Sequence, residues 1–140
     1  MLEAKQMAQK LISRFQSNDP FRIADSLDYI VIFVPLRGIR GFHQYVQRNH
    51  IIYIDNSLDE VQQRWVCAHE LGHIFLHPHL NKMFLANHTY SVQSRYEVEA
   101  DRFAACLCYP DLREEFDGCS SAQIAEVLQL PLSLIEYAMK

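Results

Sequence analysis

The run from Ser57 to His77 limits what this chain can fold into more than any other stretch, because it carries the pattern of one amphipathic helix. Its apolar residues recur at helical spacing and would form one stripe facing the core: Leu58, Val61, Trp65, Ala68, Gly72 and Phe75. Ser57 and Glu60 have the spacing of a capping box, and Pro78 disfavours a helical conformation at His77. The sequence therefore predicts a helix over residues 57–77.

Within this helix lies the motif His69-Glu70-Leu71-Gly72-His73. Two histidines four residues apart on a helix are only about 40° out of line, so both rings could bind one Zn²⁺. The glutamate between them would reach the attacking water, as in the H-E-x-x-H zinc peptidases. A glycine inside a helix costs about 1 kcal/mol relative to Ala. Gly72 therefore indicates that another backbone or a ligand comes close.

A catalytic zinc site needs a third protein ligand, and three residues compete for that role. His79 stands ten residues after His69, where the metzincins have their third histidine. However, Leu76 occupies the position of the glycine that lets the metzincin chain turn back, and Pro78 does not supply that flexibility. His79 is therefore the less favoured candidate.

The other two candidates, Glu97 and Glu99, lie in a second amphipathic pattern that opens at Ser91 or Ser94. The two carboxylates are about 200° apart around a helix, so they cannot both face the metal. Glu97 is favoured because Asp101, four residues later, shares its face and could orient a ligating histidine. The competing interpretation is that Glu97 closes a capping box with Ser94.

The rest of the chain predicts a small sheet among helices. An apolar pattern that ends near Asn18 predicts a first helix, and Asp19-Pro20 is a typical start for a second one. β-branched and aromatic runs predict three strands over residues 29–34, 42–46 and 50–54, with a turn or loop at Gly38 and Gly41. The expected fold class is α+β, with an antiparallel or mixed three-stranded sheet and about five to six helices.

Two further segments complete this prediction. Residues 77–90 lack clear periodicity and predict a loop beside the metal site. Residues 120–140 hold two short helical patterns separated near Pro131, which could be half of a helix-turn-helix. The second of these patterns offers no arginine for reading bases, which favours packing or protein contact instead.

Composition restricts the setting. With 140 residues and 49% hydrophobic content, the chain predicts one domain over 1–140, made of an N-terminal helix (1–18), a catalytic core (19–110) and a C-terminal helical segment (120–140). No apolar run approaches the roughly 20 residues of a membrane span, and Glu3 and Lys5 interrupt any signal peptide, so a cytoplasmic protein is expected. A net charge of −4 argues against a nucleic-acid surface and favours protein partners.

The cysteines are expected to be small core residues, because they lack the paired C-x-x-C spacing of a structural zinc site: Cys67, Cys106, Cys108 and Cys119.

Four segments in sequence order make the chain similar to a known family: Asp19-Pro20-Phe21; Ile51-Ile52-Tyr53-Ile54-Asp55; His69-Glu70-Leu71-Gly72-His73 with His77 close behind; and Glu97-Val98-Glu99-Ala100-Asp101-Arg102-Phe103-Ala104. With these segments, the chain resembles the ImmA/IrrE family of metallopeptidases from about Asp19 to Pro110. It departs from the family at Cys108-Tyr109-Pro110, where a plainer aliphatic ending is common.

This resemblance implies a zincin-like fold and, as the usual activity, proteolysis of a helix-turn-helix repressor. ImmA-type members serve mobile elements and IrrE-type members serve a stress response. Matched residue by residue, His69 and His73 would be metal ligands, Glu70 the catalytic base and Glu97 the third ligand. The 140 residues do not include the long extra C-terminal domain of the IrrE type, so a member nearer the ImmA type is expected.

The sequence therefore predicts a zinc-dependent endopeptidase that cuts a repressor and so switches on a mobile element or stress response. Two alternatives stay open: a zinc protein that sequesters a repressor without cutting it, and a DNA-contacting regulator that uses the C-terminal helices. The substrate is expected to add as an extended strand to an exposed sheet edge. A donor for the oxyanion is also expected, and the plausible residues are His43, Tyr45, His88, Tyr90 and Tyr96.

Overall fold

The two longest helices, α3 (Glu60–Leu76) and α4 (Tyr90–Cys108), pack against each other at the centre of the helical layer. The computed structural model describes residues 2–78 and 90–139, with side chains at 3–78 and 95–139. The other elements in these parts of the chain are α1 (Leu2–Phe15), α2 (Pro20–Ser26), β1 (Ile30–Val34), β2 (Gly41–Val46), β3 (Asn49–Asp55), α5 (Leu112–Glu115), α6 (Ser121–Leu128) and α7 (Leu132–Ala138).

The predicted α+β class is confirmed. The described residues contain seven helices, more than the predicted five to six, because the four-residue helix α5 is too short to show a period. Each helix of this part is too short or too polar to cross a membrane.

The three strands form one mixed sheet in the order β1-β3-β2. β2 and β3 form an antiparallel hairpin, whose turn residues Gln47 and Arg48 have φ angles of 50° and 67°. β1 runs parallel to β3, with Ile30 opposite Ile51. The chain reverses once between β1 and β2 and again in the hairpin, so the first and third strands point the same way. β3 is thus the central strand, and β1 and β2 are the edges.

The core lies between the sheet and the helices. Ile52 and Ile54 of β3 point into it and are fully buried, since alternate residues of a strand face the same side. Trp65 and Val66 of α3 are buried in the same cluster. Residues of α4 complete it: Phe103, Ala104, Ala105, Leu107 and Cys108. The buried faces of the two helices therefore meet each other, while Val61, which was predicted to be part of the core-facing stripe of α3, is exposed.

Two glycines allow close approaches to α3. A Cβ added at Gly72 would lie 3.0 Å from Cδ1 of Phe103 and 3.2 Å from Cα of Ala100, so the backbones of α3 and α4 nearly touch. The close approach predicted for Gly72 is confirmed. A Cβ added at Gly41 would lie 2.5 Å from Cγ1 of Val66. Gly41 therefore begins strand β2 against α3, and its assignment to a turn or loop was wrong.

Helix α3 begins later than predicted. Its N-cap is Asp59, whose side chain accepts a hydrogen bond from the backbone N–H of Gln62 at 2.8 Å. The Ser57 hydroxyl instead donates to the Asp55 carboxylate at 2.8 Å. The predicted capping box of Ser57 and Glu60 is therefore wrong, because the carboxylate that ends β3 binds the serine in a turn.

The remaining ends show both agreement and correction. α1 ends at Phe15, before the predicted Asn18, while Asp19 caps α2 and Pro20 occupies its first turn as predicted. α4 begins at Tyr90, earlier than Ser91 or Ser94. Most of the predicted 77–90 loop lies outside the described residues. In the C-terminal segment, Ser120 forms a capping box with Gln123 at the start of α6, and α7 follows Pro131.

The four cysteines are unpaired. Cys67 and Cys108 are buried, as expected of core residues, and Cys106 is half-buried. Cys119 is exposed, so the core prediction was wrong for this residue, which lies in the connection that precedes α6.

Candidate metal centre

Three side chains from α3 and α4 converge on one point. Nε2 of His69 lies 3.0 Å from Oε2 of Glu97, and Nε2 of His73 lies 3.1 Å from Oε1 of the same carboxylate. One donor atom from each of the three residues lies within 4.8 Å of the other two. α3 supplies both imidazoles from one face, and the close crossing at Gly72 brings the Glu97 flank of α4 opposite them.

The chemistry of this donor set fits zinc. Two imidazole nitrogens and one carboxylate oxygen are ligands that Zn²⁺ accepts at about 2.0–2.2 Å, which places the ligands of a tetrahedral ion about 3.3 Å apart. The two nitrogen-to-oxygen distances, 3.0 and 3.1 Å, are close to this value, and the three donor atoms all lie within 4.8 Å of one another. Within the part of the chain that the structure describes, the group has three members, which leaves one position for water, as in catalytic sites.

The two kinds of donor are electrostatically coupled. Burial disfavours the charged form of His69, but hydrogen bonds to Asp101 and Glu97 outweigh it and raise the pKa of His69 to about 10. Burial acts to raise the pKa of Glu97, but its hydrogen bonds with His69 and His73 outweigh it and hold that pKa well below the usual range. These contacts therefore favour the ionised form of Glu97 and the positively charged form of His69.

Each candidate ligand histidine is held through its second ring nitrogen. Nδ1 of His69 lies 2.8 Å from Oδ1 of Asp101, which is the partner predicted for a ligating histidine. Nδ1 of His73 lies 3.1 Å from Nδ1 of His77. Nε2 of His77 in turn lies 2.8 Å from Oε2 of Glu99. The first histidine thus meets a carboxylate directly, and the second meets one through another imidazole.

The sequence interpretation gave no role to the His77 and Glu99 pair. A signal was present, because His77 follows His73 by four residues and so continues the same helical face. His77 is buried at the C-cap of α3, and its N–H donates to the carbonyl of His73 at 2.8 Å. Burial is the largest cause of the lowered pKa of His77, so the ring favours its neutral form.

Glu70, between the two histidines on α3, contacts the sheet. Its Oε1 lies 2.8 Å from Nδ1 of His43 on β2, and its side chain is only 9% exposed. Burial would raise the pKa of Glu70, but the hydrogen bond from His43 and the nearby histidines outweigh it, and the pKa is lowered. Glu70 therefore favours its ionised form, which is the form that can accept a proton.

The competing third-ligand interpretations fare differently. Glu99 lies on another part of α4 from Glu97, as predicted, and contacts His77. Ser94 lies inside α4, four residues after its start, so it cannot be the N-cap and the capping-box interpretation of Glu97 is wrong. His79 lies outside the described residues.

The residues considered as oxyanion donors are scattered. His43 contacts Glu70, Tyr96 packs edge-on against His77 with ring centroids 4.7 Å apart, and Tyr45 packs against His50. His88 lies outside the described residues, as does the side chain of Tyr90. The structure therefore brings one of these residues, His43, to the motif glutamate.

Comparisons with known proteins agree with this geometry. The sequence profile of the IrrE N-terminal-like domain matches residues 24–139. Uncharacterized immunity region protein 2 of Bacillus phage phi105 is 38% identical over 108 residues, covering 76% of this chain and 68% of that protein. Metallopeptidase ImmA of Bacillus subtilis (strain 168) is 29% identical over 142 positions, covering 96% of this chain and 83% of that protein.

The profile covers the whole candidate centre, from α3 through α4, and the α+β architecture is that of a zincin-like domain. The family indicated by the sequence motifs is thus confirmed: the chain belongs to the IrrE N-terminal-like domain family and is a member of the ImmA/IrrE group.

Proposed function

We propose that this chain is a zinc-dependent endopeptidase that hydrolyses a peptide bond in a helix-turn-helix transcriptional repressor. The observation that carries the proposal is the convergence of His69, His73 and Glu97 next to an ionised Glu70. The names of the relatives support it, since one is a metallopeptidase and another belongs to a phage immunity region. A cytoplasmic setting, where such repressors act, is part of the proposal.

In this mechanism His69, His73 and Glu97 would hold the zinc ion. When bound there, the ion would supply the Lewis acidity that a scissile carbonyl and an attacking water need near neutral pH. Glu70 accepts the proton of the attacking water and transfers it to the leaving amine. Among the described residues, Oε1 of Glu70 is engaged by His43, while Oε2 accepts no hydrogen bond and can receive the proton.

Strand β2 is proposed as the edge that receives the substrate. β2 pairs with β3 on one side, and its other side has no strand partner among the described residues. Its His43 touches Glu70, so a peptide added along this edge passes next to the base. Tyr45, two residues along the same face and 63% exposed, would contact a substrate side chain there.

The test is co-expression with a helix-turn-helix repressor whose gene is found beside the gene for this chain, followed by incubation of the two purified proteins. Wild-type protein should give discrete repressor fragments, and a chelator or Glu70→Gln should abolish them. Glu114→Gln is the matched control, because Glu114 is exposed on α5 and has no part in the site. An intact repressor that still binds a zinc-loaded chain would indicate a sequestering protein. A steep salt dependence of DNA binding would indicate the regulator instead.

A further inference from the structure

We propose that His77 and Glu99 form a positioning relay for His73, which sets the tautomer and orientation of this ring and so strengthens metal binding. The relay consists of two hydrogen bonds, from His73 to His77 at 3.1 Å and from His77 to Glu99 at 2.8 Å. The inference rests on the metal site of the proposed function and does not depend on peptide hydrolysis.

The first step of the argument concerns protons. His73 directs Nε2 at Glu97, so a metal held there takes the lone pair of Nε2. A neutral imidazole then carries its one proton on Nδ1. That proton donates to Nδ1 of His77, which must be the acceptor. A neutral His77 therefore carries its own proton on Nε2 and donates it to the Glu99 carboxylate.

The reverse order of protons excludes the metal. If Nδ1 of His77 were the donor, Nδ1 of His73 would be the acceptor and the proton of His73 would sit on Nε2. That proton would occupy the position that a metal ion needs. Glu99 opposes this arrangement in a neutral His77 ring, because the carboxylate can only accept and so holds the single proton of that ring on Nε2. The carboxylate thus selects the metal-binding tautomer of His73 across the intervening ring.

The second step concerns orientation. The His77 side chain is 4% exposed, and three contacts fix its ring: His73, Glu99 and the edge-on ring of Tyr96. The backbone N–H of His77 also binds the carbonyl of His73. Because Nδ1 of His77 is the fixed acceptor, the His73 ring has one preferred orientation, the one in which its Nδ1–H points at that nitrogen. Because partners of this kind typically change metal affinity by about 10–100-fold, the relay has a measurable effect.

The experiment compares zinc affinities of the purified full chain by competition with a chromophoric chelator. His77→Phe removes both hydrogen bonds and should weaken binding about 10–100-fold. His77→Asn places an amide oxygen where Nδ1 stands and should recover most of the loss. Glu99→Ala should weaken binding, and Glu99→Gln, which still accepts from Nε2–H, should do so less. His50→Phe and Glu114→Ala are controls away from the relay.

A spectroscopic measurement separates positioning from a structural role. In the Co²⁺-substituted protein, the Nδ1–H protons of His69 and His73 should give two exchangeable, strongly shifted resonances. In His77→Phe the His73 resonance should move or exchange with water, and that of His69 should persist. If His77→Phe does not fold, as judged by circular dichroism, the Glu99→Ala and Glu99→Gln pair makes the same test.

The outcomes distinguish the two proposals. A wild-type chain that binds no zinc would overturn the metal site and the relay with it. A wild-type chain that binds zinc would retain the site, while folded variants with affinities within twofold of wild type, or an unchanged pair of resonances, would overturn the relay alone.

Discussion

The two candidate ligand histidines are matched in sequence and differ in how the fold supports them. His69 meets Asp101 directly, and both the carboxylate that holds its ring and the third donor, Glu97, come from one face of α4. His73 lies one turn further along α3, and its second ring nitrogen, Nδ1, reaches a carboxylate only through His77. The comparison teaches that an i, i+4 pair specifies two equivalent ligands, whereas the neighbouring helix decides how each is oriented.

The largest expected effect separates the two glutamates of α4. Glu97→Ala removes a donor shared by both histidines and should leave protein without stoichiometric zinc after dialysis, since two imidazoles alone hold the ion weakly. Glu99→Ala should keep its zinc under the same dialysis, because Glu99 contacts His77 and none of the three candidate ligands is lost. Metal analysis of the two variants is the measurement, and the reverse result would mean that the two carboxylates have exchanged roles.

The next largest effect concerns Glu70, which supports neither of the two histidine rings. Glu70→Gln should reduce repressor cleavage by about 10²- to 10⁴-fold, the usual contribution of a general base, while zinc content stays at the wild-type level. The glutamine amide cannot accept the proton of the attacking water. Zinc content should not change, because residue 70 is not one of the three candidate ligands. Fragment yield and metal content are measured on the same preparation. Retention of most of the cleavage would contradict the proposed mechanism.

A smaller effect is expected at Asp101, which contacts His69 directly, whereas Glu99 acts on His73 through His77. Asp101→Ala should weaken zinc binding by about 10–100-fold, because His69 loses the partner that fixes its tautomer. Asp101→Asn keeps an acceptor oxygen and should cost less. Chelator competition measures both. If Asp101→Ala costs no more than Glu99→Ala, the direct carboxylate has no advantage over the relayed one.

The smallest expected effect concerns His79. If it were a third ligand of the metzincin kind, His79→Ala would lower zinc content as severely as His73→Ala. We expect near-wild-type zinc, because Leu76 and Pro78 disfavour the required turn. Metal analysis beside His73→Ala checks this, and equal losses would replace Glu97 by His79 in the proposed site.

Much of the helical architecture could be predicted from the sequence, because it depends on local patterns. Asp19-Pro20 starts a helix wherever it occurs with the right neighbours, and the stripe through Trp65 and Gly72 is a property of α3 itself. The predicted start of α3 was wrong because the Ser57 hydroxyl binds the carboxylate of Asp55 in the preceding strand and does not cap the helix. Which partner the serine binds depends on the direction in which the chain leaves the strand and enters the helix.

By itself, the sequence determined the family, the zinc motif and the preference for Glu97, because residue spacing along a helix dictates which side chains share a face. Only the tertiary structure decided that β1 runs parallel to β3, that His43 of β2 meets Glu70, and that Glu99 serves His77. These contacts join residues more than twenty positions apart. Their formation depends on how closely the elements pack. Gly41 and Gly72 allow the close packing, because a Cβ at either position would collide with the neighbouring helix.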